Sequence, residues 1–205
     1  MNILAICGSP RENGNTRGYL ETVLAEAREL GAETRLVWLG DKTIHGCKAC
    51  YGCAKVGHCV VEDDFQALFQ DMLWADGILL GSPVYHASIT SELKAVLDRA
   101  GFSGRWAVNE MKDHSESYAW TGNAFTGKVA APVAVARRAG QNFAFAQMLL
   151  WCAANDFVIP GNTYWNVGVA GKGGAVDAED DSEGVGIMKG LAQRMVHTIA
   201  ALKSQ

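Results

Sequence analysis

The stretch Cys7-Gly8-Ser9-Pro10-Arg11-Glu12-Asn13-Gly14-Asn15-Thr16 follows directly on the apolar run Ile3-Leu4-Ala5-Ile6, and it narrows the folds open to this chain more than any other feature. A short apolar run before residues rich in Gly, Asn and Ser reads as a strand ending in a loop. The next apolar positions, Leu20, Val23, Leu24, Ala27 and Leu30, fall three and four apart, so the loop leads into a helix with Asn15 or Thr16 as the expected cap. Backbone N–H groups then point outward beside Ser9, Asn15, Thr16 and the charged Arg11. Unpaired donors at the positive end of a helix favour an anion, and a phosphate is the natural guest. The alternative is an ordinary strand-to-helix turn. There is no Gly-Lys-Ser/Thr ending and no Gly-x-Gly-x-x-Gly spacing, so neither common nucleotide motif is present.

The same pattern recurs along the chain. Gly31 stops the first helix, and residues 33–39 alternate polar and apolar as a second strand. Asp63-Asp64 reads as the start of a helix carrying Phe65, Leu68, Phe69, Met72 and Leu73; the adjacent carboxylates point in different directions and make a poor acid pair. Gly77 to Gly81 reads as a buried parallel strand and ends in Ser82-Pro83-Val84-Tyr85-His86, ahead of a helix with Leu93, Val96 and Leu97. A fourth strand over 128–136 runs into Arg137-Arg138-Ala139-Gly140-Gln141 and a helix with Phe145, Met148, Leu149 and Cys152. Residues 157–160 read as a fifth short strand, resumed through 164–167, and a last helix covers about 183–203. Residues 168–184 read as a surface loop, and Asp180, Asp181 and Glu183 as a solvated helix entrance. Strands alternating with helices predict an α/β fold with a doubly wound parallel sheet, its three candidate site loops all on the carboxyl edge.

At 205 residues and 49% apolar content, one domain over 1–205 is expected, with a cysteine-rich loop at 44–60 and an insertion at about 101–127. The insertion has weak periodicity and holds Trp106, Tyr118 and Trp120, large apolar groups that, with Trp165, suit a partner subunit or an acceptor pocket. A net charge of −4 without a basic run excludes an electrostatic nucleic-acid footprint. No basic leader, signal core or membrane-length apolar stretch is evident, so a cytoplasmic location is expected.

Four of the six cysteines, Cys47, Cys50, Cys53 and Cys59, crowd into one loop, which is not a secreted disulfide framework. The compact Cys-x-x-Cys-x-x-Cys run plus a fourth cysteine suits a [4Fe-4S] cluster. Reduced thiols and a zinc site, with His58 as an awkward substitute ligand, stay open as alternatives. Cys7 and Cys152 read as small buried residues.

Taken together, Gly8-Ser9-Pro10-Arg11 with Gly14-Asn15-Thr16, Gly81 to Tyr85 with Lys94 and Asp98-Arg99, and the cysteine loop with Asp63-Asp64 resemble the flavodoxin-like NAD(P)H-dependent FMN reductase family, in its iron-sulfur flavoprotein branch. The resemblance runs from Asn2 to about Leu202. It implies a flavodoxin-like five-stranded sheet with helices on both faces, and a first loop that holds the FMN phosphate through Ser9, Arg11, Asn13, Asn15 and Thr16. It further implies an isoalloxazine wall of Pro83, Val84, Tyr85 and His86, with Arg138, Gly140 and Gln141 closing the other side. The family more often has a glycine cluster where this chain has two arginines. A cluster on the four cysteines would exchange electrons with the FMN, and a homodimer or homotetramer is implied.

On this reading the chain is an FMN-dependent oxidoreductase passing electrons from NAD(P)H to a small acceptor such as a quinone or flavin. A second reading is an iron-sulfur flavoprotein that meets a ferredoxin-type partner. A third is a non-enzymatic thiol or metal sensor on the same fold. Hydride transfer between nicotinamide and flavin rests on proximity and orientation, so no catalytic side chain is assigned; His86 reads as a stacking or hydrogen-bonding group before a proton carrier.

Overall fold

Strand β1 (Asn2–Cys7) occupies an interior position in the sheet, and residues 3–7 are apolar and buried on both faces. A strand without a polar face needs helices on each side of it. In the computed structural model, which describes residues 1–108 and 122–204, β1 pairs in parallel with β2 (Glu33–Trp38) and β3 (Gly77–Pro83). β4 (Val129–Ala136) and β5 (Val167–Val169) extend the sheet on the β3 side, giving the order β2-β1-β3-β4-β5. This is the flavodoxin-like doubly wound order, in which the winding direction reverses at β1 and β3 and opens a crevice at their carboxyl ends.

The period of two along the strands divides the core. Ile3, Ala5 and Cys7 face α1 (Asn15–Glu29) and α6 (Ser182–Lys203), while Leu4 and Ile6 face α3 (Phe65–Trp74), α4 (Ser91–Trp106) and α5 (Gln141–Ala154). A short α2 (Gly52–Val56) lies within the cysteine loop. Asp181 caps α6 by accepting from Gly184 N at 3.0 Å and also accepts from the buried Tyr19 hydroxyl at 2.6 Å, so the acidic segment there is a helix entrance.

Three local expectations change. Residues 157–160 touch β4 through a single bridge, Val129 to Val158, and the fifth strand is Val167–Val169. Pro160 has no N–H to continue a ladder, so the run leaves the sheet. Helix α1 starts after an extended Gly14 and carries no side-chain cap; Asn15 instead turns its amide to the carbonyl of Val176. Residues 101–106, expected in an irregular insertion, belong to α4, and Trp106 is buried within the chain. The glycines there are packing points: a Cβ on Gly104 would meet Asn123 Oδ1 at 2.5 Å and the Phe125 ring at 2.8 Å. Tyr118 and Trp120 lie outside the described residues.

Candidate functional site

The loop after β1 is fixed from three directions before any ligand is considered. Gly8 N donates to Gly81 O at 2.8 Å, and the Thr90 hydroxyl donates to Gly8 O at the same distance. A Cβ on Gly8 would lie 2.9 Å from that of Leu93, so only glycine lets the loop approach α4 this closely. The Trp38 indole N–H, at the end of β2, donates to Ser9 O at 2.7 Å. Thr90 itself caps α4 by accepting from Leu93 N and donates its own N–H to the Ser82 hydroxyl. Nothing local in the sequence marks these roles of Trp38, Ser82 and Thr90, because they depend on contacts between residues far apart in the chain.

Between this loop and the ends of β3 and β4 lies a cleft of about 260 Å³. It brings together Ser9, Arg11, Asn15 and Thr16 from the first loop with Pro83, Val84 and Tyr85 from the second. The uncapped N-terminus of α1 supplies its open end, where Ser9 and Thr16 are almost wholly buried. Arg11 and Arg137 are the charged side chains among the lining residues, and no carboxylate is included. That charge balance suits a dianion.

The remaining expected residues fall elsewhere. Asn13 is exposed and lines a neighbouring cavity with Asp177 and Glu179. Tyr85 and Ser88 exchange backbone hydrogen bonds at 2.9 Å, which puts His86 (φ 49°) and Ala87 (φ 63°) at the exposed tip of a two-residue turn, outside the cleft lining. Val84 N donates to Val135 O, so Val84 and Tyr85 offer a ligand their side chains, their N–H groups being engaged already. In the third loop Arg137, not Arg138, reaches the cleft; Gly140 and Gln141 start α5, with Gly140 in left-handed geometry against Val84.

The far wall is Ala170 to Gly174, part of the segment expected as a plain surface loop. Arg11 Nη1 approaches Gly173 O at 3.5 Å, and Asn15 holds Val176 O, so the first loop and this wall are joined. Gly171, Gly173 and Gly174 all have positive φ. That glycine cluster was the available signal for a tight wall at a ligand.

A second pocket is built by the cysteine loop. Cys47, Cys50, Cys53 and Cys59 all line it, together with Tyr51, Val60, Arg99, Phe102 and Ser103. The loop is anchored at both ends. Asp64 accepts from Thr43 N at 2.7 Å and Asp63 from His45 N at 2.9 Å, while Gln66 donates to the carbonyls of Cys59 and Val61. Beneath these, Arg99 forms an ion pair with Asp63 at 2.6 Å, with both side chains buried, and Arg99 Nη2 donates to Val61 O. Asp63 also accepts from Phe65 N at 3.0 Å, so it starts α3 as expected while also holding the Arg99 cation, a pairing with no local signal in the sequence.

Burial raises the Cys53 thiol above its ordinary value, and the neighbouring Cys59 and Cys47 raise it further, so these sulfurs are within electrostatic reach of one another. Among the described residues no three His, Cys, Asp or Glu side chains converge tightly enough for a single metal ion. His58, the awkward zinc substitute, is exposed and hydrogen-bonds Val56 O through Nδ1 at 3.0 Å. The donor set suits a larger, soft, thiolate-bound group: four cysteines line one pocket, and two further lining residues, Arg99 and Ser103, carry buried polar atoms, Nε and Oγ, with no hydrogen-bond partner among the described residues. Cys7 and Cys152 are fully buried; burial raises both thiols, that of Cys152 to about 12, so neither is a nucleophile. Among the described residues no helix is long and apolar enough to cross a membrane.

Residues 1–172 match the model of the NADPH-dependent FMN reductase family. An iron-sulfur flavoprotein of Methanocaldococcus jannaschii is 29% identical over 99% of this chain and 100% of its own length. One from Archaeoglobus fulgidus is 30% identical over 100% of this chain and 98% of its own. Among solved structures, RosB with bound 8-demethyl-8-formylriboflavin-5'-phosphate superposes with a TM-score of 0.74 at 16% identity, covering 100% of this chain and 81% of that one.

Proposed function

The chain belongs to the NADPH-dependent FMN reductase family, in its iron-sulfur flavoprotein branch, and from that premise we propose that it is an oxidoreductase whose FMN exchanges electrons with a [4Fe-4S] cluster on the cysteine loop. The observation that carries the flavin half is the cleft itself. It has an open helix N-terminus, two arginines and no carboxylate at one end, and an apolar wall at the other. FMN, when bound, supplies the redox chemistry, and the protein supplies orientation and surroundings.

In this reading Ser9, Thr16 and the first N–H groups of α1 hold the phosphate, with Arg11 and Arg137 neutralising its charge. Trp38 and Thr90 keep that loop in place through its carbonyls. Pro83, Val84 and Tyr85 wall the ring and exclude water from it, and Gln147 steadies their turn by accepting from Ser88 Oγ and Ile89 N. No side chain is required to move a proton for hydride delivery.

The observation that favours the cluster over reduced thiols is the convergence of all four cysteines on one pocket whose lining residues Arg99 and Ser103 carry buried donors with no partner among the described residues. Cys47, Cys50, Cys53 and Cys59 would be its ligands, and the cluster would supply one-electron transfer. NADH or NADPH is the proposed source of electrons; a quinone, a flavin or a ferredoxin-type protein is the proposed acceptor. We assign the assembly to a homo-oligomer in which Phe143 and Leu150, exposed on one face of α5, meet another copy.

The test is an absorption spectrum of protein purified without oxygen, with flavin and iron quantified on the same sample. The expected result is flavin bands over a broad iron-sulfur shoulder, about four irons per chain, and bleaching on addition of NADH or NADPH. Flavin without iron would reduce the protein to a plain FMN reductase; no flavin after incubation with FMN would overturn the proposal.

A further inference from the structure

We propose that Arg99 and Ser103 donate hydrogen bonds to the sulfurs of the cluster on the cysteine loop and thereby raise its reduction potential. The proposal rests on the reading of that loop as a cluster site. Both residues line the pocket formed by the four cysteines, and both are 1% exposed. They stand four apart on α4, so they occupy one face of the helix, one turn above the other.

The accounts of their polar atoms point the same way. Arg99 Nη1 donates to Asp63 and to His45 O, and Nη2 donates to Val61 O, but among the described residues the buried Nε has no partner. The Ser103 hydroxyl is buried without a partner as well. A buried donor left unpaired is costly, so two of them on one turn of a helix call for an acceptor. Beyond the cysteines, the pocket wall they share is formed by Lys48, Ala49, Tyr51, Val60, Val61 and Phe102, none of which brings an anionic side chain. Anionic sulfur is the acceptor chemistry that the four thiolates would bring there.

The effect has a definite sign. Asp63 already balances the Arg99 charge, so what remains for the pocket is an N–H dipole beside an O–H dipole. A donor at sulfur gains strength as the cluster takes up an electron, so it favours the reduced form. Removing it makes reduction harder.

The experiment measures the cluster midpoint potential and the iron content of the anaerobically purified wild type, Ser103→Ala, Arg99→Lys and Asp98→Asn. Ser103→Ala deletes only the hydroxyl, and Arg99→Lys keeps a cation for Asp63 while deleting the Nε–H. Each is expected to retain iron and to make reduction about tenfold less favourable, a shift of about 59 mV downward for one electron. Asp98→Asn, on the exposed face of the same helix, is expected to leave the potential where it was. Wild-type potentials in both Ser103→Ala and Arg99→Lys, at equal iron content, would overturn the inference and leave the cluster reading intact. A wild type that binds no iron would overturn both, and the iron analysis distinguishes the two failures.

Discussion

Replacing Asp63 by Asn should destabilise the protein by about 3 kcal/mol, far more than its position in a loop suggests. The Arg99 side chain is fully buried, and both Asp63 oxygens lie within 2.7 Å of its Nη1. Asparagine keeps one oxygen for the N–H groups of His45 or Phe65 but removes the countercharge. Breaking a buried ion pair by deleting one partner costs about 3–5 kcal/mol. The carbonyls of His45 and Val61 and the Phe65 ring, 4.2 Å from the guanidinium, remain and place the loss at the lower end, about 3 kcal/mol. For a chain of this size that is a fall in Tm of about 6–12 °C. The control is Asp98→Asn, whose pair with Lys94 has the same 2.6 Å separation but is close to half exposed, and which should cost at most about 0.5 kcal/mol. Urea unfolding followed by circular dichroism separates the two. The pH dependence adds a second check. Burial pushes the Asp63 carboxyl up, but the Arg99 guanidinium and the N–H groups of His45 and Phe65 outweigh it and hold the group below its ordinary value. A depressed folded pKa means that its stabilisation is complete above the unfolded value of about 3.9 and fades as pH falls through the lower folded value. The gap between wild type and variant should therefore be flat from about pH 5 to 8 and close below about pH 4. A variant within about 1 kcal/mol of wild type at pH 7, where a buried pair predicts several, would refute the reasoning.

Arg11→Ala should weaken FMN binding at least about tenfold by removing a charge-assisted contact; quenching of flavin fluorescence on titration reads it, and an unchanged affinity would take Arg11 out of the phosphate site. Cys50→Ser should abolish iron while flavin content stays at the wild-type level, since the two pockets share no lining residue; retained iron would mean another ligand set. Tyr19→Phe deletes the 2.6 Å hydrogen bond to the Asp181 cap of α6 and should cost about 1–2 kcal/mol in urea unfolding; no loss would show that the cap holds without it. Replacing Phe143 and Leu150 together by Gln should convert the proposed oligomer to a smaller species in light scattering; an unchanged mass would exclude this face of α5 from the interface.

Much of this protein was decided locally. The apolar run of β1, the loop of small and polar residues after it and the 3.6-residue spacing of α1 specify a strand-loop-helix unit wherever they stand, because side-chain period and backbone donors are local properties. Repetition of that unit at β3 and β4 was enough to imply a parallel doubly wound sheet and to put Ser9, Arg11, Thr16, Pro83, Val84 and Tyr85 on one edge. Cysteine spacing likewise marks the loop at 47–59, because it is a property of the local sequence. What tertiary structure alone decided were the interactions that join distant segments. Nothing near Asp63 says that its partner is Arg99, 36 positions on, or that Trp38 and Thr90 hold the first loop by its carbonyls. The glycines at 171–174 read as a linker until the sheet brought them opposite Arg11. Pairing of that kind depends on which buried group lacks a partner once the chain has folded, and burial is a property of the whole fold.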